Sequence, residues 1–119
     1  MGVGFAILGV TSYALPVRFR VRGQFVECGV PTWSGVGDLL EKAEKITLVA
    51  VQNYGTNLRW LFLKGAGTVV KDPDWEGIVS PQGGRVDPGD LYQLLRIEPK
   101  RMELFDEQLG WGFRETADF

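Results

Sequence analysis

Between residues 15 and 70 the chain alternates short β-type runs with turn residues, in the order strand, strand, short helix, strand, strand. β-Branched and aromatic residues fill the runs, and glycine and asparagine clusters separate them. With the runs on either side, the pattern gives six or seven strands at hairpin spacing and one short helix from Ser34 to Ala43. We therefore predict a mainly β, antiparallel, six- or seven-stranded barrel, with a sandwich as the alternative.

The predicted strands are bounded by glycines and polar turns. They cover Gly4 to Val10, Tyr13 to Arg22, Gln24 to Val30, Ile46 to Gln52, Leu58 to Val70, and Leu91 to Ile97 with a continuation from Arg101 to Phe105. We expect a bend or bulge near Gly65 to Gly67, because two glycines interrupt the longest run. The segment Ser80 to Gly89 holds too many prolines and glycines for regular structure and is predicted to be a loop.

Length and charge restrict the class of protein. A chain of 119 residues can bury one core, so we predict a single domain over residues 1–119. The net charge of −2 argues against a nucleic-acid partner, which needs an excess of clustered Lys and Arg. No apolar stretch approaches the roughly 20 residues of a membrane span. The apolar start lacks a basic region and is typical of a first strand rather than a signal peptide, so we expect a cytoplasmic protein without a membrane partner.

The rarity of two residue types limits the chemistry. Cys28 is the one cysteine, and the chain has no histidine. A disulfide within the chain and a cysteine-cluster metal site are therefore excluded, and the commonest general base and zinc ligand are absent. We predict no metal site and no particular catalytic residue. If the protein is an enzyme, a cofactor or carboxylates must carry the reaction.

Three arginines alternate with apolar residues near the end of the second predicted strand. Arg18, Arg20 and Arg22 therefore share one face of that strand. A solvated strand face is the commoner explanation of this pattern. The alternative is a guanidinium fork that binds a phosphate.

The segment around Ser34 follows a strand directly and has two explanations. Small residues near Ser34 leave the backbone amides of Gly35 and Val36 open, and an open helix N-terminus suits a phosphate. An ordinary helix capped by Ser34 explains the same residues.

Four tryptophans are many for a chain of this length. Trp33, beside the predicted helix, and Trp60, in the following strand, could form the walls of a planar cofactor site. Core packing or a subunit interface explains them as well, because both favour large amphipathic rings.

The runs described above resemble the FMN-binding split barrel of the pyridoxamine 5'-phosphate oxidase-like family. The similar pieces are residues 15–20 with the glycine turn that follows, residues 32–48 around the predicted helix, residues 59–70 with the pattern Gly65-Ala66-Gly67 before two valines, and residues 91–106. The resemblance implies a split barrel and a flavin-binding, oxidoreductase-like protein with an unknown small-molecule substrate. It implies FMN as the cofactor, or alternatively a deazaflavin.

The resemblance also implies which residues bind the cofactor. They are Arg18, Arg20, Thr32, Trp33, Ser34, Gly35, Val36 and Trp60. Arg20 matches a basic position of the family and is implied as the main phosphate contact. Leu15 and Val36 stand where the family has basic residues that bind the flavin phosphate.

Two further possibilities follow from these departures. The chain could be a split-barrel relative that lost the flavin and serves as a small-ligand or protein-binding module. It could also be a structural or interaction protein, since a fold does not fix an activity. The resemblance implies a homodimer with the flavin at its interface, and the tryptophans and the aromatic tail at 110–114 agree with a second copy as partner.

Overall fold

β-Strands dominate the structure, a computed structural model that describes residues 4–10, 12–36, 45–78 and 87–119. The strands are β1 (Gly4–Val10), β2 (Tyr13–Arg22), β3 (Phe25–Pro31), β4 (Ile46–Tyr54), β5 (Asn57–Val69), β6 (Tyr92–Asp106) and β7 (Arg114–Asp118). The helices are α1 (Pro88–Leu91) and two single 3₁₀ turns, Thr32–Ser34 and Glu107–Leu109. None of the helices in these ranges has the length and apolar character needed to cross a lipid bilayer.

Six of the strands close into an antiparallel barrel. Each neighbour in the order β1-β2-β3-β6-β5-β4 is hydrogen-bonded to the next, and β4 pairs back onto β1. The seventh strand, β7, adds to β6 outside this ring. The prediction of a mainly β antiparallel barrel is confirmed, and the alternative of a sandwich is not needed.

The longest strand, β6, divides the barrel into two halves. One of its edges pairs with β5 over most of its length. The opposite edge pairs with β3 through residues 92–97 and with β7 through residues 101–105. Two different strands therefore share one edge of β6, and this arrangement is the split of the split barrel.

An extra residue separates the two halves of β6. The partner of Lys64 is Arg101, whereas the partner of Gly65 is Pro99, so Lys100 has no opposite residue on β5. Such a bulge shifts the alternation of side chains by one position. The predicted irregularity near Gly65 is confirmed, but the additional residue belongs to the facing strand.

The interior of the barrel is filled by alternating residues of the six closed strands and by one residue from the turn after β3. These buried side chains are Ala6, Leu8, Val10, Val17, Val26, Cys28, Val30, Val36, Ile46, Leu48, Leu63, Leu95 and Ile97. Because the intervening residues point outward, the outer face of the barrel is left for a second layer of contacts.

Three segments differ from the prediction or lie beyond it. Pro88 and Gly89 belong to α1 rather than to a loop, because the Asp87 carboxylate accepts a hydrogen bond from the Gly89 amide at 2.9 Å and caps the turn. Strand β7 was not predicted, because all five of its residues are exposed and its sequence does not alternate between polar and apolar residues. Most of the predicted helix from Ser34 to Ala43, namely residues 37–43, lies outside the described ranges.

Gly65 provides a test of the barrel's register. A Cβ atom at this position would overlap the backbone carbonyl oxygen of Glu98 and would lie 2.9 Å from Ile97 Cγ2. We expect Gly65→Ala to lower the free energy of unfolding by about 2–3 kcal/mol, because backbone atoms cannot move aside cheaply. Gly9→Ala is the matched control, since the nearest atom to its added Cβ is Thr47 Cβ at 3.6 Å. Urea unfolding of both variants is the measurement, and equal losses would contradict the assignment.

Candidate functional site

A hollow of about 200 Å³ lies on the outer face of β1, β2 and β3. Its lining residues are Phe5, Pro16, Val17, Arg18, Gly29, Pro31, Ile78 and Tyr92. Alternation along the strands produces this lining, because Phe5 pairs directly with Arg18 and both side chains point away from the core. The hollow therefore combines largely apolar walls with one guanidinium group.

One wall of the hollow is provided by residues 71–78, which we call the strap. The strap follows β5 and crosses the outer face of β2, β3 and β6. Its last residue, Ile78, is buried and lies against Gly29, where an added Cβ would be 3.0 Å from Ile78 Cγ2. Trp75 packs at 6.3 Å between ring centroids on Tyr92, which also lines the hollow. Without a side chain at Gly29, the strap can approach the sheet closely.

A buried carboxylate lies beneath the strap. The Glu27 side chain is 0% exposed and accepts hydrogen bonds from Arg20 Nε at 2.9 Å and from Arg96 Nε and Nη2 at 3.0 and 2.9 Å. Arg22 Nη1 lies 3.7 Å from the same carboxylate. Burial raises the pKa of Glu27, but the hydrogen bonds and charges of Arg96 and Arg20 outweigh it, so that the pKa falls below its usual value.

Arg20 connects the Glu27 carboxylate to the strap. While Nε donates to Glu27, Nη1 donates to the carbonyl oxygen of Glu76 and Nη2 donates to the carbonyl oxygen of Asp74. The planar guanidinium can make these contacts together because its donors form a fixed fork. Three groups of the chain itself therefore use the Arg20 side chain, which is 13% exposed.

The Asp74 carboxylate adds a second connection between the strap and β2. Its Oδ1 accepts a hydrogen bond from the Glu76 amide at 3.0 Å, and its Oδ2 lies 3.0 Å from Arg22 Nη2. The bond from the Glu76 amide and the contact with Arg22 lower the pKa of Asp74. The turn of the strap is thus fixed by its own side chain.

The predicted arginine face is present, but its members have different surroundings. Arg20 and Arg22 contact Glu27 and the strap. Arg18 is exposed on the hollow, and in the part of the chain that the structure describes its guanidinium has no ion-pair partner. Among the predicted cofactor residues, Arg18 is therefore the cation that borders open space.

The turn after β3 uses its hydroxyl groups internally. Thr32 Oγ1 donates to the carbonyl oxygen of Leu91 at 3.1 Å, which ties the turn to α1. Ser34 Oγ donates to the carbonyl oxygen of Pro31 at 2.7 Å and accepts a hydrogen bond from the Val36 amide at 3.4 Å. The prediction of an open amide at Val36 is therefore wrong.

Ser34 does not begin a helix within the described residues. It ends the 3₁₀ turn, and Gly35 follows with a φ of 77°, in the left-handed region that glycine favours. The side chain of Val36 then enters the core. The small residue at position 35 allows this reversal of the chain.

Leu15 stands on the opposite side of β2 from the arginine face. It is partly buried against the barrel core, as is Phe19, whereas Pro16 and Arg18 line the hollow. A basic side chain at position 15 would point into the barrel. Leucine at this position therefore says nothing about charge in the hollow.

The two predicted tryptophan walls lie far apart in one chain. Trp33 packs on Tyr92 with 5.7 Å between ring centroids, at the start of β6 and next to the hollow. Trp60 stacks on Phe105 with 4.7 Å between ring centroids, and Phe105 lies thirteen residues after Tyr92 in β6. At about 3.3 Å per residue this separation is roughly 40 Å. Trp33 can belong to the hollow, and Trp60 of the same chain cannot.

Apolar side chains form a band on the outer face of the barrel, which we call the outer band. Its members are Phe5, Ile7, Val49, Val51, Trp60, Phe62 and Phe105. Ile7 on β1 pairs directly with Val49 on β4. Val49 and Val51 pair in turn with Phe62 and Trp60 on β5, and Trp60 pairs with Phe105 on β6. Because Phe5 belongs to both features, the outer band runs into the hollow.

Two kinds of chemistry have no support in the described residues. Burial and the neighbouring Glu27 charge raise the pKa of the Cys28 thiol to about 12, so that this cysteine is not a nucleophile. No group of three or more potential metal-ligating side chains occurs in the described ranges.

Sequence reasoning missed the apolar lining of the hollow. The alternation that placed Arg18 on the outer face also predicts Phe5 and Pro16 there once the first hairpin is paired. The contributions of Ile78 and Tyr92 had no such signal, because the strap and β6 meet the site only through tertiary packing.

Comparisons identify the fold. No protein-family model matches the sequence, and a search of curated proteins finds no match. Among solved structures, the chain is similar to a heme binding protein from Mycobacterium smegmatis, with a TM-score of 0.71 and 14% identity, over 99% of this chain and 53% of that one. The chain thus spans about half the length of that protein.

Two further solved structures cover more of their own chains. One is a protein related to general stress protein 26 of B. subtilis (pyridoxinephosphate oxidase family), from Clostridium acetobutylicum, with a TM-score of 0.66, 16% identity and coverage of 98% and 86%. The other is an FAD binding protein from Mycobacterium smegmatis, with a TM-score of 0.55, 14% identity and coverage of 98% and 88%. The predicted resemblance is confirmed at the level of the fold.

The buried Glu27 provides a test of the site's electrostatics. We expect Glu27→Gln to lower the free energy of unfolding at pH 7 by about 2–3 kcal/mol, because the arginines lose their buried counter-charge. A carboxylate with a lowered pKa stabilises the fold fully above the usual value of 4.5 and loses this effect as the pH falls through the folded-state pKa. The gap between wild type and variant should therefore shrink from pH 7 to pH 3.

Urea unfolding over this pH range is the measurement. Glu98→Gln is the matched control, because Glu98 is exposed and contacts one lysine, Lys100. It should change the free energy of unfolding by no more than about 0.5 kcal/mol. A gap for Glu27→Gln that stays constant with pH would contradict the lowered pKa.

Proposed function

We propose that this chain is a divergent member of the pyridoxamine 5'-phosphate oxidase-like family that binds FMN in the hollow and acts as an oxidoreductase on a small molecule. The observation that carries the proposal is the position of Arg18 at an otherwise apolar hollow on the outer face of a split barrel. The similar structures described as FAD binding and as pyridoxinephosphate oxidase family support the class of ligand.

The residues present fit a flavin. A planar ring system favours flat apolar walls, which Pro16, Ile78 and Tyr92 provide. The phosphate of the same molecule favours a guanidinium that other groups do not occupy, and Arg18 meets this requirement in the described part of the chain. Trp33, which packs on Tyr92, extends the aromatic wall.

The size of the hollow supports a homodimer. Its volume of about 200 Å³ is below the roughly 300–1,000 Å³ of typical ligand pockets. One protomer would therefore cover only part of a flavin. We propose that a second copy covers the remainder by packing on the outer band, since Phe5 joins that band to the hollow. A twofold pairing through the same face of both copies would close the site.

A bound flavin supplies redox chemistry by itself, so that the protein's contribution is binding and positioning. In this proposal Arg18 holds the phosphate, and Tyr92 and Ile78 exclude water from one side of the ring system. A deazaflavin would make the same contacts, because its phosphate and ring shape are alike.

One observation favours a second candidate, a split-barrel module that binds another ligand or a protein without flavin. The hydroxyls of Thr32 and Ser34 and the amide of Val36 are used by internal hydrogen bonds. The resemblance implies Ser34 and the Val36 amide as phosphate contacts and Thr32 as a cofactor contact. A ligand without a phosphate would not need them.

Heme is the third ligand class suggested by a similar structure. The chain has no histidine, which is the commonest axial ligand of heme iron. We therefore favour flavin. The absorption spectrum of the purified protein separates the two, because flavin bands and an intense heme band differ in position and shape.

Titration of flavin fluorescence tests the proposed function. We expect wild type to bind FMN more tightly than riboflavin, which lacks the phosphate. Arg18→Ala should weaken FMN binding by about tenfold to a hundredfold, the effect of losing one charge-assisted contact, and should leave riboflavin binding nearly unchanged. Lys100→Ala, which removes an exposed charge outside the hollow, is the control. Failure of wild type to bind either flavin would reject the proposal and favour the module without flavin.

Sedimentation or light scattering tests the homodimer. Val51, in the middle of the outer band, is 57% exposed in one chain. A charge there would be buried unpaired at the interface, so we expect Val51→Asp to be a monomer at micromolar concentrations at which wild type is a dimer. Val21→Asp makes the same change at a residue that is 61% exposed and outside the outer band, and it should stay dimeric. Dissociation of both variants, or of neither, would contradict this interface.

A further inference from the structure

We infer that Arg20 is a positioning residue: it fixes the strap against the sheet so that the strap forms one wall of the hollow, and it does not contact the bound ligand. The inference rests on the proposed function for the identity of that ligand. It differs from the role that the family resemblance implies, in which Arg20 holds the phosphate.

The Arg20 guanidinium already donates hydrogen bonds to three groups of the chain. Its Nε donates to the buried Glu27, and its two terminal nitrogens donate to the carbonyl oxygens of Asp74 and Glu76. A phosphate at Arg20 would have to compete with a carboxylate that is itself buried and hydrogen-bonded by Arg96. Removing Arg20 from Glu27 would leave a buried charge with weaker compensation, which is costly.

The carbonyl groups of Asp74 and Glu76 belong to the part of the strap that borders the hollow. They flank Trp75 in the strap, and the Ile78 amide donates to the Trp75 carbonyl oxygen at 3.0 Å. Ile78 lines the hollow, and Trp75 packs on Tyr92, which lines it as well. The fork of Arg20 therefore holds the residues that shape the wall opposite Arg18.

Arg22, the neighbouring arginine on the same face, has different contacts from Arg20. Arg22 contacts the side chains of Glu27 and Asp74, but it makes no hydrogen bond to a backbone carbonyl in the described part of the chain. Arg22 is also half exposed, whereas Arg20 is largely buried. Among the three arginines of this face, Arg20 is the one that, within the described residues, donates hydrogen bonds both to the Glu27 carboxylate and to backbone carbonyl oxygens of the strap.

Lysine distinguishes a positioning role from a phosphate contact. A lysine keeps the positive charge, and lysine binds phosphate well as a point charge, but it cannot bridge Glu27 and two carbonyl oxygens in a fixed fork. We expect Arg20→Lys to weaken FMN and riboflavin binding by the same factor of about tenfold, the loss expected when one apolar wall no longer packs on the ligand. The preference for FMN over riboflavin should remain.

Hydrogen exchange measured by mass spectrometry provides a readout without any ligand. Arg20→Lys should speed exchange of the backbone amides in residues 71–78. Arg22→Ala, the matched control, loses a half-exposed ion pair with Asp74 and should speed this exchange less. Ile78→Ala removes the wall and leaves the arginine network intact. It should weaken both flavins equally, and it shows the effect on binding of losing this part of the wall while Arg20 keeps its contacts with Glu27, Asp74 and Glu76.

Two results would overturn the inference. One is an Arg20→Lys protein with wild-type exchange in the strap. The other is a loss for Arg20→Ala that is confined to FMN and is restored by lysine, because that pattern indicates a phosphate contact. If wild type binds neither flavin, the proposed function fails separately, and the exchange comparison of Arg20→Lys with Arg22→Ala still decides whether Arg20 positions the strap.

Discussion

A buried carboxylate surrounded by arginines is the interaction on which the outer layer of this protein depends. The Glu27 side chain is fully buried, but it lies on the outer side of β3 and is not part of the apolar interior of the barrel. A lone charge there would be very unfavourable, so the arginines on β2 and β6 are required partners. Since Arg20 also holds the strap, the burial of one carboxylate determines where a whole segment of chain lies.

The barrel could be predicted from the sequence because its signals are local. Alternation and glycine turns located β1 and β2 at their observed ends, and the glycines near Gly65 indicated the irregular register. Strand β7 had no such signal, because five exposed residues form a strand only when β6 offers a free edge. The split of the fold was available from resemblance to a family, and in the structure the bulge at Lys100 lies between the part of β6 that pairs with β3 and the part that pairs with β7.

The candidate site was harder to predict, for a reason that particular residues illustrate. Periodicity correctly separated Arg18 and Arg20 from the core, but it could not tell that one borders open space and the other is enclosed. That difference depends on the strap, which meets β2 more than fifty residues later in the chain. Trp33 and Trp60 were grouped because they are close in the predicted order of strands, whereas the length of β6 separates them. Composition alone could not have revealed either relation.

The single thiol of the chain has a consequence for the motion of the barrel. Cys28 lies in the middle of β3, fully enclosed, with its proton held tightly below about pH 12. A thiol reagent can reach it only when the barrel opens locally, as when β3 separates from β2 or β6. Because the sequence has no second cysteine, the rate of thiol labelling measures how often the barrel opens around Cys28. Because Glu27 is the adjacent residue on β3, an opening that detaches this strand also separates the Glu27 carboxylate from Arg20 on β2 or from Arg96 on β6.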